Sequence, residues 1–240
     1  VSIMFTILFD LDDTLYDTSR PFFQTLADYS FRNNYSNEAS FALFREHCDN
    51  AFDLFSSGEL TLAESHIMRT QHTFADLGLP LTAEEAMHFQ KSYQKRQGEI
   101  VLSPGIERLL NELENRNIPI AVFTNGPEKH QMKKFNALNL ERWVPPARIF
   151  ISENIGCPKP YAEAFAHVQE SLNATPGELL FIGDTYETDI IGGQAAGWTT
   201  LWYNHRRKQE DEKMVLEPTF YSVAEMHQAI NDNISKRKEM

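Results

Sequence analysis

Phe9-Asp10-Leu11-Asp12-Asp13-Thr14-Leu15 follows directly on the apolar run from Ile3 to Leu8. A strand leaving a core normally meets Gly, Asn or Ser in a turn. Here it meets three acids in four positions, Asp10, Asp12 and Asp13. Like charges this close cannot all stay ionised unless a cation neutralises them. Oxygen-only ligands select a hard divalent ion such as Mg²⁺. Taken alone, the stretch reads equally well as an exposed acidic turn capping a helix, since Asp near a helix N-terminus is stabilising anyway.

The chain on either side of this turn has two characters. Ser19 to Gln97 is helical throughout by pattern, with Phe41, Phe44, Cys48, Phe52 and Phe55 at three- and four-residue steps along one apolar face. Thr61-Leu62-Ala63-Glu64 and Thr82-Ala83-Glu84-Glu85 each fit a capping box, and Gly58, Gly78 and Pro80 punctuate the segments. This predicts about four mutually packed helices. The remainder alternates: strands are predicted at Ile118 to Phe123, Arg148 to Ser152, Leu179 to Ile182 and Thr199 to Tyr203. Helical patterns lie between them, as in Ile106, Leu109, Leu110, Leu113 and in Tyr161, Phe165, Val168, Leu172. Short apolar strands separated by helices predict a parallel sheet covered on both faces. The expected fold class is α/β: a Rossmann-like parallel-sheet core (1–17 and 99–240) with an inserted four-helix-bundle-like cap domain (18–98). The polar end, Asn231 to Met240, is the only low-complexity stretch expected.

Composition narrows the function. The chain has 240 residues and a net charge of −12, with no basic block beyond Arg206-Arg207-Lys208 and the Lys/Arg tail. A broad nucleic-acid surface is not expected. No apolar stretch approaches ~18 residues, so no membrane span is expected. The sequence begins in a strand-like segment without a basic leader, and Cys48 and Cys157 lack metal or redox spacing. A cytoplasmic protein is the expectation. Gly-x-Gly-x-x-Gly, Walker-type and His-Glu-x-x-His motifs are absent, as are Ser and Cys nucleophile signatures.

Parallel sheets bind ligands at the carboxyl ends of their strands. Asp10 and Asp12 follow the first strand, Thr124-Asn125-Gly126 the second and Cys157-Pro158-Lys159-Pro160 the third. Gly183-Asp184 follows the fourth, with Asp189 five residues on. Each alone reads as a turn, a solvated lysine or a helix cap. Every predicted strand but the last ends in a group suited to a phosphate or a metal.

Asp10-x-Asp12-x-Thr14, Thr124, Lys159 and Gly183-Asp184-(x4)-Asp189 together resemble the four motifs of the haloacid dehalogenase-like hydrolases, across essentially the whole core. The resemblance implies a Rossmann-like core and Mg²⁺-dependent phosphoryl transfer through an aspartyl phosphate, with the helical insertion as the family's cap. It implies Asp10 as nucleophile and Asp12 as general acid and base. Mg²⁺ would be held by Asp10, Asp184 and the Asp12 main-chain carbonyl, supported by Asp189. The Thr124 hydroxyl and Asn125 N–H would hold the transferring oxygens, with Lys159 neutralising the charge. Such chemistry suits these residue types: a carboxylate nucleophile divides a very slow hydrolysis into two easier steps, and a positioned acid–base group typically adds ~10²–10⁴-fold.

Rivals remain at this level. A halide-releasing dehalogenase of the family has no second acid in the first motif, so Asp12 argues against it. A sugar-phosphate phosphatase or phosphomutase keeps all four motifs. A phospho-accepting signalling domain has its accepting Asp on a later strand and no large cap. The opening motif and the Gly-Trp…Trp-Tyr-Asn-His-Arg-Arg ending look most like the nucleoside-monophosphatase branch. The expectation is a phosphatase acting on a small phosphorylated metabolite, as a monomer or homodimer. Tyr16, close to the acidic turn, is expected at the entrance, contributing to specificity against a base or sugar.

Overall fold

A computed structural model describes residues 5–29, 35, 37–208 and 218–238. The chain divides into two units, Val1–Asp17 with Val101–Met240, and Thr18–Ile100.

The helical unit comprises α1 (Arg20–Leu26), α2 (Glu38–Ser56), α3 (Leu62–Asp76) and α4 (Ala83–Gln97) among its described residues. Thr61 and Thr82 each accept from the N3 backbone while Glu64 and Glu85 reach back, so both capping boxes are present. The core gathers Phe22, Leu26, Phe41, Phe44, Cys48, Phe74, Phe89 and Tyr93. Phe22 stacks on Phe44 with ring centroids 4.7 Å apart, and Phe74 meets Phe89 edge-on at 5.0 Å. Such ring pairs contribute ~0.5–1.5 kcal/mol beyond their burial. The apolar face of α2 ends at Ala51: Phe52 and Phe55, expected on it, are 55% and 38% exposed. Their spacing continues the stripe, and their rings lie against each other with centroids 6.4 Å apart.

The other unit holds six parallel strands: β1 (Thr6–Phe9), β2 (Ile120–Thr124), β3 (Ile149–Ile151), β4 (Leu179–Gly183), β5 (Thr199–Tyr203) and β6 (Thr219–Phe220). Their order, 3-2-1-4-5-6, is the Rossmann order, with its switch point beside β1. β1 is buried along its whole length, as a strand covered on both faces must be. β2 starts after Pro119, which has no N–H for a ladder. Ser152 does not extend β3; it opens a short helix, α7 (Ser152–Ile155). The two-residue β6 was too short to read.

The helices around the sheet are α5 (Ile106–Asn115), α6 (Glu128–Ala137), α7, α8 (Ala162–Ser171), α9 (Gly192–Ala195) and α10 (Val223–Lys238). Leu109, Leu110 and Leu113 of α5 are fully buried, and so are Phe165 and Val168 of α8. Tyr161 is not part of that face; it precedes α8 and is 61% exposed. Phe123, Phe165, Phe181 and Trp198 form an aromatic core cluster with Leu8. The polar end from Asn231 belongs to α10 through Lys238, because Met226, Ile230 and Ile234, four apart, are buried. No helix among the described residues is long and apolar enough to cross a membrane.

Candidate active site

The backbone brings the acids to the switch point. Asp10 N–H donates to Ile182 O at 2.8 Å, continuing the β1–β4 pairing one residue past β1. The Asp10 carboxyl is thereby held at the strand end, 6% exposed. The chain then turns through Asp13, whose φ of 56° is left-handed, a region Asp tolerates better than most residues.

After β4, Asp184 is 7% exposed and Asp189 1%. Asp189 lies on a π-helical turn, Tyr186–Ile191, a feature frequent at functional sites. The residue before Asp184 must be glycine: a Cβ on Gly183 would overlap the Asp189 carboxyl group. Asp189 is fixed further by the Thr185 N–H at 3.0 Å. One ligand oxygen each from Asp10, Asp184 and Asp189 lies within 4.8 Å of the others.

Lys159 is the central cation. Its ammonium donates to Asp10 Oδ1 at 2.7 Å, Asp189 Oδ1 at 2.7 Å and Phe123 O at 3.0 Å. All three N–H bonds are therefore used. The rings of Phe181 and Phe123 lie 5.0 and 5.2 Å from the same nitrogen. Asn125 docks the Lys159 main chain from both sides: its Nδ2 donates to Lys159 O and its Oδ1 accepts from Lys159 N, each at 2.9 Å.

Burial pushes the Asp10 carboxyl well above the usual range; Lys159 opposes this, while Asp189, Asp184 and Asp12 add to it. Burial also raises Asp184, against Lys208, whose Nζ is 2.6 Å from Asp184 Oδ2. The Lys159 ammonium is held charged, since Asp10 and Asp189 outweigh its burial. Three crowded carboxylates, two of them resisting ionisation, form an oxygen donor set that fits a hard divalent cation.

Asp12 faces a different neighbourhood. Its carboxylate accepts from Lys134 Nζ at 2.8 and 2.6 Å, from Gln131 Nε2 at 3.2 Å and from the Tyr16 hydroxyl. Burial works against ionisation, yet Lys134, Tyr16 and Gln131 hold Asp12 below the usual carboxylate range. Thr124, 2% exposed, ends β2 beside this group.

Tyr16, expected at the entrance, is 5% exposed, belongs to the sheet unit, and donates its hydroxyl to Asp12. The last predicted strand also delivers site residues, contrary to expectation. Past β5, Arg206 Nε and a terminal nitrogen donate to the two Asp13 oxygens at 2.8 and 2.6 Å, and to Asp17 at 2.6 Å. Lys208 reaches Asp184. Arg206-Arg207-Lys208 was visible as the one internal basic block; its position after a strand was the unused signal. Gln131 and Lys134, three apart after Thr124-Asn125-Gly126, carried no comparable sign.

The sequence pattern of the haloacid dehalogenase-like hydrolases matches residues 4–197. The chain is similar to the glyceraldehyde 3-phosphate phosphatase of Pyrococcus furiosus, 26% identical over 234 residues, which are 93% of this chain and 90% of that one. It is 28% identical to N-acylneuraminate-9-phosphatase of Mus musculus over 82% of each chain. Pyrimidine 5'-nucleotidase YjjG of Escherichia coli is 31% identical over 53% of this chain and 56% of its own. The solved structure of the HAD-hydrolase YfnB of Bacillus subtilis, bound to magnesium, has the same fold. Its TM-score is 0.66 at 24% identity, covering 94% of this chain and 98% of that one.

Proposed function

Because the chain belongs to the haloacid dehalogenase-like hydrolases, we propose that it is a Mg²⁺-dependent phosphatase acting on a small phosphate monoester through an aspartyl phosphate on Asp10. The observation that carries this reading is the Asp10 carboxylate itself. It is buried at a strand end, 2.7 Å from the Lys159 ammonium and clustered with Asp184 and Asp189. Asp10 attacks phosphorus, the ester P–O bond breaks, and the leaving oxygen takes a proton through Asp12, which Lys134, Tyr16 and Gln131 hold ionised in the free site and which receives that proton from the monoanionic phosphate of the substrate. Asp12, then ionised, takes a proton from the water that attacks the aspartyl phosphate, releasing phosphate and restoring Asp10. The Thr124 hydroxyl and Asn125 N–H hold the transferred oxygens, and Lys159 offsets the charge built up beside Asp10. Asp10, Asp184 and Asp189, with the Asp12 main-chain carbonyl, would hold Mg²⁺, which supplies charge neutralisation between two anions.

The second acid, Asp12, favours ester hydrolysis over halide release, and the named activities of the relatives support a phosphatase. A nucleoside 5'-monophosphate is one substrate class, supported by the nucleotidase match over about half of the chain. A sugar or triose phosphate is the second, supported by relatives matching 82% and 93% of the chain. The helical unit is assigned the cap's part, discrimination among esters, in a cytoplasmic monomer or homodimer. Asp10→Asn tests the core of the reading: turnover should vanish and no hydroxylamine-labile phosphoprotein should form on acid quench. Phosphate release by Asp10→Asn at the wild-type rate would end it.

A further inference from the structure

Gln131 and Lys134 occupy one face of α6, three residues apart. Gln131 is an amide yet only 2% exposed, as buried as Phe135 on the same helix. Its Nε2 donates to Thr124 Oγ1 at 2.6 Å and to Asn125 O at 2.8 Å, and touches Asp12 Oδ2 at 3.2 Å. Thr124 Oγ1 is therefore an acceptor toward Gln131, which leaves its own O–H to be donated elsewhere. One turn later, Lys134 Nζ spans both Asp12 oxygens. With the Tyr16 hydroxyl on Oδ1, the Asp12 carboxylate is fixed from three sides. The Lys134 and Asp12 side chains are 25% and 34% exposed, and ion pairs so open to water add little stability. Stability alone does not account for a long side chain spanning this carboxylate.

We propose that Gln131 and Lys134 are positioning residues for the phosphatase reaction. Lys134 aims the Asp12 carboxyl at the leaving oxygen, and Gln131 sets the polarity of the Thr124 hydroxyl so that it donates to the transferred phosphoryl group. One helical turn thus keeps the acid–base group and the phosphate-binding group in register. This rests on the roles given to Asp12 and Thr124 above.

Single-turnover phosphorylation of the full chain, with Mg²⁺, tests it. The probes are p-nitrophenyl phosphate and whichever of glycerol 3-phosphate, ribose 5-phosphate and uridine 5'-monophosphate wild type uses fastest. Lys134→Met should slow the alkyl ester by ~10–100-fold, a part of what an acid–base group supplies, and the aryl ester by less than about threefold. In an Asp12→Ala background Lys134→Met should add nothing, because the group it positions is gone. Lys134→Arg should recover most of the alkyl-ester rate. Gln131→Leu should slow both esters alike, since both transfer the same group. Equal losses for both esters in Lys134→Met, or the same fold loss with and without Asp12, would overturn the proposal. Undiminished alkyl-ester phosphorylation in Asp12→Ala alone would instead sink the role of Asp12, and the positioning role with it.

Discussion

Lys159 Nζ lies 2.7 Å from Asp10 Oδ1 and the same distance from Asp189 Oδ1, with both ends of each pair almost fully buried. The Asp12–Lys134 contact is closely similar in length but partly open to water. The first is costly to break because it leaves unpaired charge in the interior; the second is not.

Lys159→Met should therefore destabilise the metal-free protein by ~3–5 kcal/mol, the usual cost of removing one partner from a buried pair. Urea unfolding measures this. Mg²⁺ should recover part of the loss by neutralising Asp10 and Asp189. A variant as stable as wild type without metal would show that Lys159 does not hold the two acids.

The Asp10 shift gives a pH dependence with a definite sign. Its carboxyl is raised in the folded chain, by burial first, above the ordinary value near 3.9. Between those two values the folded state binds the proton that the unfolded state has released. The contribution is complete below the unfolded value and is lost as pH rises through the folded one. The stability difference, wild type minus Asp10→Asn, should fall in chelator as pH rises above the ordinary carboxylate value near 3.9. Mg²⁺ should oppose the fall, since it binds the ionised form. A difference that is flat with pH would mean that burial does not set Asp10.

Arg206 ties the acidic turn to the strand beyond it, with two nitrogens on Asp13 and one of them also on Asp17. Burial disfavours its charge, but Asp13 and Asp17 outweigh it. Arg206→Leu should lower stability by ~1–3 kcal/mol, the range for losing charged hydrogen bonds. Turnover should drop as well, because Asp12 sits in the same turn. Arg206→Lys keeps the charge but not the fork, and should recover less than half of the loss. Thermal unfolding and kcat together check this; full activity at reduced stability would separate the tie from Asp12.

How much was legible follows from how far each residue sits from its context. Asp10, Thr124 and Asp184 each end a short apolar run, so sequence alone placed them at strand ends of one sheet. The pairing of Arg206 with Asp13 spans 193 positions, and that of Lys134 with Asp12 spans 122. No local pattern announces such contacts. Helical periodicity likewise gives the stripe of α2, but not that Phe52 and Phe55, in step with it, are exposed. Nor does the position of Tyr16 in the sequence announce that its hydroxyl is committed to a carboxylate four residues away.

Gly183 gives the most localised test. It is the final residue of β4, and a methyl group there would overlap the Asp189 carboxyl. Asp189 cannot simply swing aside, because it also binds the Lys159 ammonium and the Thr185 N–H. Gly183→Ala must therefore displace Asp189 or bend the strand end. Overpacking of this kind costs ~1–3 kcal/mol, modest against the whole fold. The effect on the acids should be larger, since a small misplacement of catalytic geometry can cost ~10²-fold in rate. We expect Gly183→Ala to fold with nearly native circular dichroism, to bind Mg²⁺ at least tenfold more weakly by calorimetry, and to lose kcat by roughly that ~10²-fold. Asp189→Asn should reproduce the weaker metal binding without the steric strain. If Gly183→Ala bound Mg²⁺ as tightly as wild type and kept its kcat, close packing at Gly183 would not be what holds Asp189 beside Asp10 and Asp184.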